Sequence, residues 1–304
     1  MVELPKIHTR EQYSAVFPDS ALWVQAISNI AQAHRVTGIP VRGALGSNIV
    51  YRVGQHWIKL FAPFFKDEFE IELAGLELVS NETEFAVPRV FAKGVFDGWH
   101  YMVITHVDGI RIGDAWSKLP DENRAILAEQ IASITRRLQN LTAPAVIAQR
   151  YNWNKFVDER FEKSVSMQVN KGLSEASVRK LESFVSQFRA EDFKCEAPVY
   201  LHADLTYDHF LIDESGKRIV GIIDFADSMV GHPEYDLIAF FCYLLKGHKV
   251  AQRSFYSAWG DHVNPTRLLM WIALHRFSDL NRYFGAGAFD RFSTLNDFAH
   301  ETFA

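Results

Sequence analysis

The segment from Tyr200 to Asp213, YLHADLTYDHFLID, constrains this 304-residue chain more than any other. Apolar, strand-like residues run into His202, Asp204, Asp208 and His209, and then an apolar run resumes. Ionisable side chains between two segments that read as buried cost desolvation free energy unless each has a partner or a task. The pattern predicts a strand, an irregular loop carrying the chemistry, and a second strand. Farther along, VGIIDFADS places Asp224 after four mostly β-branched apolar residues, which are predicted to pair in the same small sheet.

Two carboxylates at the mouths of adjacent strands repel unless a cation or a proton separates them. A strand-end aspartate alone reads as an ordinary turn or cap residue. Asp204 and Asp224, with a hairpin between them, instead suggest a divalent cation carrying a nucleotide. Mg²⁺ takes one or two carboxylates together with phosphate oxygens.

Upstream, PDSALWVQAISNIAQAHR has Asp19 or Ser20 as N-cap and Leu22, Ala26, Ile27 and Ile30 at helical spacing. GSNIVYRVG and HWIKLFA read as strands joined at Gly54-Gln55. KDEFEIELAGLELV suits a helix through Phe69, Leu73 and Leu76, and VPRVFAKG and WHYMVITHV resume strand character. Beyond DGIRIGDAW helices dominate, the clearest being RAILAEQIASITRRLQNL with Ile126, Ile131, Ile134 and Leu138 on one face. The expectation is an α+β chain of two lobes. Residues 1–38 form a helical extension, 39–106 a β-rich lobe with one main helix, and 107–304 a larger, mostly helical lobe, joined near Thr105–Gly109. A cleft between such lobes is a usual ligand site.

HADLTYDHFLID followed by GIIDFADSMVGHPEYDL resembles the aminoglycoside phosphotransferase family of kinase-like enzymes, and within it the hygromycin-type antibiotic kinases. That family carries an H-x-D-x-x-x-x-N loop and a following I-D-[FW] strand. The likeness runs from about Gly43 to Asp236 and is strong over Tyr200–Leu237. It implies a protein-kinase-like fold and an ATP- and Mg²⁺-dependent transfer of the γ-phosphoryl group to a hydroxyl, with GTP as the alternative donor. By resemblance Asp204 is the catalytic base and Asp224 the main metal ligand. His202 either braces the loop or is a packed core histidine. Where the family has Asn, this chain has His209. It reads as a second metal ligand through one imidazole nitrogen, or as a structural loop residue.

Alternation along HWIKLF puts Lys59 between Trp57 and Phe61, suited to reaching nucleotide phosphates, or else to snorkelling past its neighbours. Glu72 is the preferred acidic partner, with Glu68 the rival. Gly43, Gly46 and Ser47 stand where a phosphate-covering hairpin belongs, or form an ordinary turn. The resemblance further implies that the Thr105 C=O and Val107 N–H read a purine edge.

An aminoglycoside acceptor, being a polycation, would call for carboxylates. Asp158, Glu162, Asp227 and Glu234 are the candidates, each alternatively a solvated charge or a cap. Asp236 is expected to order the loop or cap its helix. Other acceptors compatible with the same chemistry are homoserine, choline, a sugar or a macrolide. A pseudokinase that binds nucleotide without turnover is the non-enzymatic alternative, motivated by His209 and the sparse glycines.

The net charge of −5, without a basic stripe, argues against a nucleic-acid partner. Cys195 and Cys242 lack ligand spacing, which suits a reducing compartment and no zinc site. The N-terminus has no apolar signal core, and the longest apolar run, LIAFFCYLL, is about half a membrane span. A cytoplasmic protein without a membrane partner is expected.

Overall fold

A computed structural model describes residues 3–43, 47–260 and 263–304. The chain divides into two units: Met1–Asp108 with Ile222–Asp227, and Gly109–Gly221 with Ser228–Ala304.

The first unit is built on an antiparallel sheet of β1 (Val41–Arg42), β2 (Ile49–Val53), β3 (His56–Phe61), β4 (Val90–Phe96) and β5 (Trp99–Thr105), in the order β1-β2-β3-β5-β4. β2 and β3 turn at Gly54-Gln55 as predicted. Gly54 has φ +58°, and a Cβ there would lie 2.4 Å from the Thr37 carbonyl oxygen, so only glycine fits. The helix Lys66–Leu78 buries Phe69, Ile71, Glu72 and Leu76, with the Phe69 ring stacked on His100 and edge-on to Phe61.

The helix Ser20–Ala33 starts where Asp19 accepts the Leu22 N–H. Leu22, expected on its apolar face, is half-buried, and Trp23 is fully buried instead. Trp23 packs 5.1 Å from the Trp99 ring and donates its indole N–H to the Val16 and Phe17 carbonyls, which fixes the helix rotation. A helix at Arg10–Val16 opens with a Thr9–Gln12 capping box. The Ile222–Asp227 segment joins this unit through an Ile222 N–H to Ala86 C=O bond of 3.0 Å.

The second unit is mostly helical. Its strands are short: β6 (Ile110–Arg111), β7 (Val199–Leu201), β8 (Phe210–Ile212), β9 (Ile219–Ile222) and β10 (Met229–Gly231). The strands leading to Asp204 and Asp224 do not share one sheet, contrary to expectation. β9 pairs with β8 in the order β6-β8-β9, while β7 pairs antiparallel with β10. The local cause is Asp213, whose carboxylate accepts the Lys217 and Arg218 N–H groups and closes the β8–β9 hairpin. The helix Asp121–Gln139 buries Leu127, Ile131, Ile134 and Leu138. Ile126 is only half-buried, because at 3.6 residues per turn Leu127 falls nearer the centre of that stripe. Trp153, Phe193, Tyr235 and Trp271 form an aromatic core, with Phe193 4.8 Å from Trp271 and Trp153 5.3 Å from Tyr235. A sheet-based N-terminal unit and a helical C-terminal unit make up the expected α+β class.

Candidate active site

In the first unit, β3 carries Lys59 into the interior, where it is 6% exposed. Its Nζ donates to Glu72 Oε1 at 2.6 Å and to Asp224 Oδ1 at 3.4 Å. Glu72, preferred over Glu68, is thus the ion-pair partner and is itself 1% exposed. Burial opposes the ammonium, but the Asp224 and Glu72 carboxylates outweigh it and raise the Lys59 pKa above its ordinary value. The Phe61 ring lies 5.8 Å from Nζ and adds a cation–π contact.

Asp224 has φ +68°, a left-handed backbone that costs a non-glycine residue on the order of 1 kcal/mol or more. Its side chain is only partly covered, so the carboxylate keeps a solvent-facing side beside the Lys59 ammonium.

The Gly43 N–H is already engaged with the Val50 carbonyl, and the Ser47 carbonyl accepts the Tyr13 hydroxyl. Gly46 lies outside the described residues. Thr105 exchanges hydrogen bonds with the Arg89 backbone through its N–H and its hydroxyl oxygen. Among the described residues the Val107 N–H makes no hydrogen bond. Between them stands His106, which the sequence did not single out. Its Nδ1 accepts the Trp57 indole N–H at 2.9 Å, so the neutral ring carries its proton on Nε2, 3.3 Å from Asp108 Oδ1. Burial lowers the His106 pKa.

In the second unit the loop after β7 brings His202, Asp204 and His209 together. Ala203 takes a left-handed φ of +61°. Asp236, 2% exposed, accepts the Ala203 N–H at 2.7 Å and the His202 N–H at 3.2 Å, so it orders the loop. Burial pushes the Asp236 carboxyl up to about 7 against the pull of those backbone donors. His202 is fully buried. His209 Nδ1 lies 2.6 Å from the Asp204 carbonyl and 3.4 Å from Asp204 Oδ2. A carbonyl oxygen only accepts, so Nδ1 bears the proton and Nε2 is the nitrogen of the neutral ring with a lone pair to offer a cation. Asp208 is drawn aside by Arg111, 3.7 Å away.

Two of the candidate acceptor carboxylates are held by cations of the second unit. Asp158 pairs with Lys194 at 2.7 Å. Glu234 Oε2 lies 2.5 Å from Arg267 Nε and 2.7 Å from Trp271 Nε1. Glu162 is exposed on the helix Trp153–Asn170, and Asp227 belongs to the first unit.

Among the described residues no group of three or more His, Cys, Asp or Glu is placed to hold a metal ion. A phosphate-bound Mg²⁺ needs only one or two protein oxygens, so the half-covered Asp224 fits it.

The model of the phosphotransferase enzyme family (APH) matches residues 40–277. No curated protein matches the chain. Among solved structures, the GDP complex of wild-type aminoglycoside 2'-phosphotransferase-IIIa superposes with a TM-score of 0.71 at 20% identity, covering 91% of this chain and 96% of that one. The GDP and kanamycin complex of APH(2")-IIia gives 0.70 at 22%, with the same coverage. APH(3'')-Id from Streptomyces rimosus ATCC10970, bound to ADP and streptomycin, gives 0.61 at 18%, covering 83% and 97%. These likenesses establish the kinase-like fold. Because the family model spans most of the chain, the protein belongs to the phosphotransferase enzyme family, enzymes that phosphorylate hydroxyl groups.

Proposed function

We propose that the protein transfers the γ-phosphoryl group of a purine nucleoside triphosphate to a hydroxyl of a small molecule, with Asp204 as general base. The observation that carries this reading is the buried Lys59, held between Glu72 and a half-exposed Asp224 on left-handed backbone. A buried ammonium already neutralised by Glu72 has no structural need of a second, strained carboxylate, whereas a triphosphate needs both a cation and a metal ligand.

In this reading residues 39–106 bind the nucleotide, 107–304 carry the catalytic loop and the acceptor site, and 1–38 are an extension. Lys59 contacts phosphate oxygens, Glu72 fixes Lys59, and the Val107 N–H with the Thr105 C=O reads the purine. Asp224 and His209 Nε2 are the groups that would hold Mg²⁺, which when bound offsets phosphate charge. Asp204 takes the acceptor proton as the new O–P bond forms. The bond from the γ-phosphorus to the β–γ bridging oxygen breaks, and its electron pair leaves with the nucleoside diphosphate. His202 and Asp236 hold the loop backbone. ADP and GDP are bound by the structural neighbours, so ATP and GTP are both donors to test.

Kanamycin and streptomycin in those neighbours make an aminoglycoside the first acceptor class to test. No helix among the described residues is long and apolar enough to cross a membrane, and two free cysteines suit the cytoplasm. The test is calorimetric. Asp224→Ala should lose magnesium-dependent nucleotide binding, and wild-type affinity in that variant would count against the reading.

A further inference from the structure

The residues around Asp204 in the second unit do not look like a site for a polycation. Tyr207, three positions along the same loop, lies with its ring 5.0 Å from that of Tyr243, edge to face, and Tyr243 lies 5.5 Å from Tyr283. Tyr207 and Tyr243 are both half-buried. Tyr207 rests on backbone: a Cβ at Gly113 would be 2.3 Å from Tyr207 Cδ2, and the Gly113 N–H donates to the Tyr207 carbonyl at 3.1 Å. Gly113 is thus the position that lets the Tyr207 ring approach the backbone closely. The ring pair is tied to the loop of the base through Tyr207, three residues from Asp204, on which Tyr243 packs.

Two bases stand near the rings in addition to the Asp204 carboxylate. Arg282 acts on Tyr243, and Lys246 donates to the Tyr283 carbonyl. The acid in the same loop, Asp208, faces Arg111, which also pairs with Asp114. Farther away, Asp158 and Glu234 are neutralised by Lys194 and Arg267. A polycation needs carboxylates left over for it, whereas half-buried tyrosine rings favour the apolar face of a ring and their hydroxyls bond to its substituents.

We propose that the acceptor is an uncharged hydroxylated ring compound, such as a neutral glycoside with an apolar aglycone, seated on Tyr207 and Tyr243. This rests on the phosphotransfer reading, and the experiment separates the two. Acceptor-dependent release of nucleoside diphosphate is measured with kanamycin and streptomycin as polycations and with 4-nitrophenyl glycosides as neutral probes. The neutral set is expected to show kcat/KM at least about tenfold higher. Equal or better turnover of the polycations, or an inert neutral set, overturns the acceptor assignment and leaves phosphotransfer standing. No acceptor-dependent release with any of these compounds would instead remove the phosphotransfer reading itself, and turnover undiminished in Asp204→Asn would remove only Asp204 as its base. Gly113→Ala, which displaces Tyr207, and Tyr243→Leu should each raise KM for the neutral acceptor about tenfold, with kcat within about twofold. An unchanged acceptor KM in both variants also overturns the proposal.

Discussion

Lys59 shows how much one side chain can decide. An ammonium this buried is tolerated because Glu72 pairs with it, and removing one member of a buried ion pair typically costs about 3–5 kcal/mol. Lys59→Met should therefore lower the urea midpoint strongly, while Lys59→Met combined with Glu72→Gln should recover much of the loss. Equal destabilisation by both would show that the pairing is not the source. Asp236 makes a pH prediction. Its folded pKa of about 7 exceeds the ordinary aspartate value of 3.8, so the folded state binds the extra proton between these values. Its contribution is full below about pH 4 and is lost as pH rises through about 7. Stability measured over that window should fall with rising pH, and Asp236→Asn should flatten the slope. A slope unchanged in the variant would assign it elsewhere. The Lys59–Glu72 pair was legible because both residues fall on strongly patterned neighbouring elements. Tyr243 and Gly113 were not, since their meeting with Tyr207 depends on contacts distant in sequence.

At the scale of elements, turns and caps were the readable part. Gly54 is held at positive φ against the Thr37 carbonyl. Gly54→Ala should destabilise by about 1–3 kcal/mol, measured by thermal melting; an unshifted melt would mean that the hairpin relaxes freely. The Asp19 cap and the Asp121–Gln139 helix also followed from spacing. Strand partnership did not. Both β7 and β9 are short and apolar on every visible position, so periodicity could not say that β7 meets β10 while β9 meets β8. The same weakness hid Trp23, whose burial is set by Trp99 rather than by its own helix. The loop departs from the family motif at His209, where the Nδ1–H grips the Asp204 carbonyl. His209→Ala should therefore lower kcat at least about tenfold by loosening Asp204. Full turnover in that variant would make the histidine a bystander.

For the whole molecule, the two units interleave along the chain, because Ile222–Asp227 returns to the N-terminal unit. The motif made Asp224 visible, but nothing in its spacing showed that it would lie beside Lys59, since that depends on the Ala86–Ile222 contact. Fold class and family were readable because one motif-dense stretch, Tyr200–Leu237, is diagnostic. Acceptor chemistry was not, because Asp158 and Glu234, which look available in sequence, are paired in the fold. Nucleotide with magnesium at about a hundredfold its Kd should stabilise the protein by about 2.7 kcal/mol, seen as a raised Tm. Lys59→Met should abolish the shift, and an equal shift in that variant would exclude Lys59 from the phosphate site. The most direct measurement is nucleoside diphosphate release by Asp204→Asn in the presence of a turned-over acceptor, with nucleotide affinity measured on the same sample. A fall in kcat of about 10²-fold or more with unchanged nucleotide Kd is predicted for the loss of a general base. Wild-type turnover in that variant would contradict the assignment of Asp204.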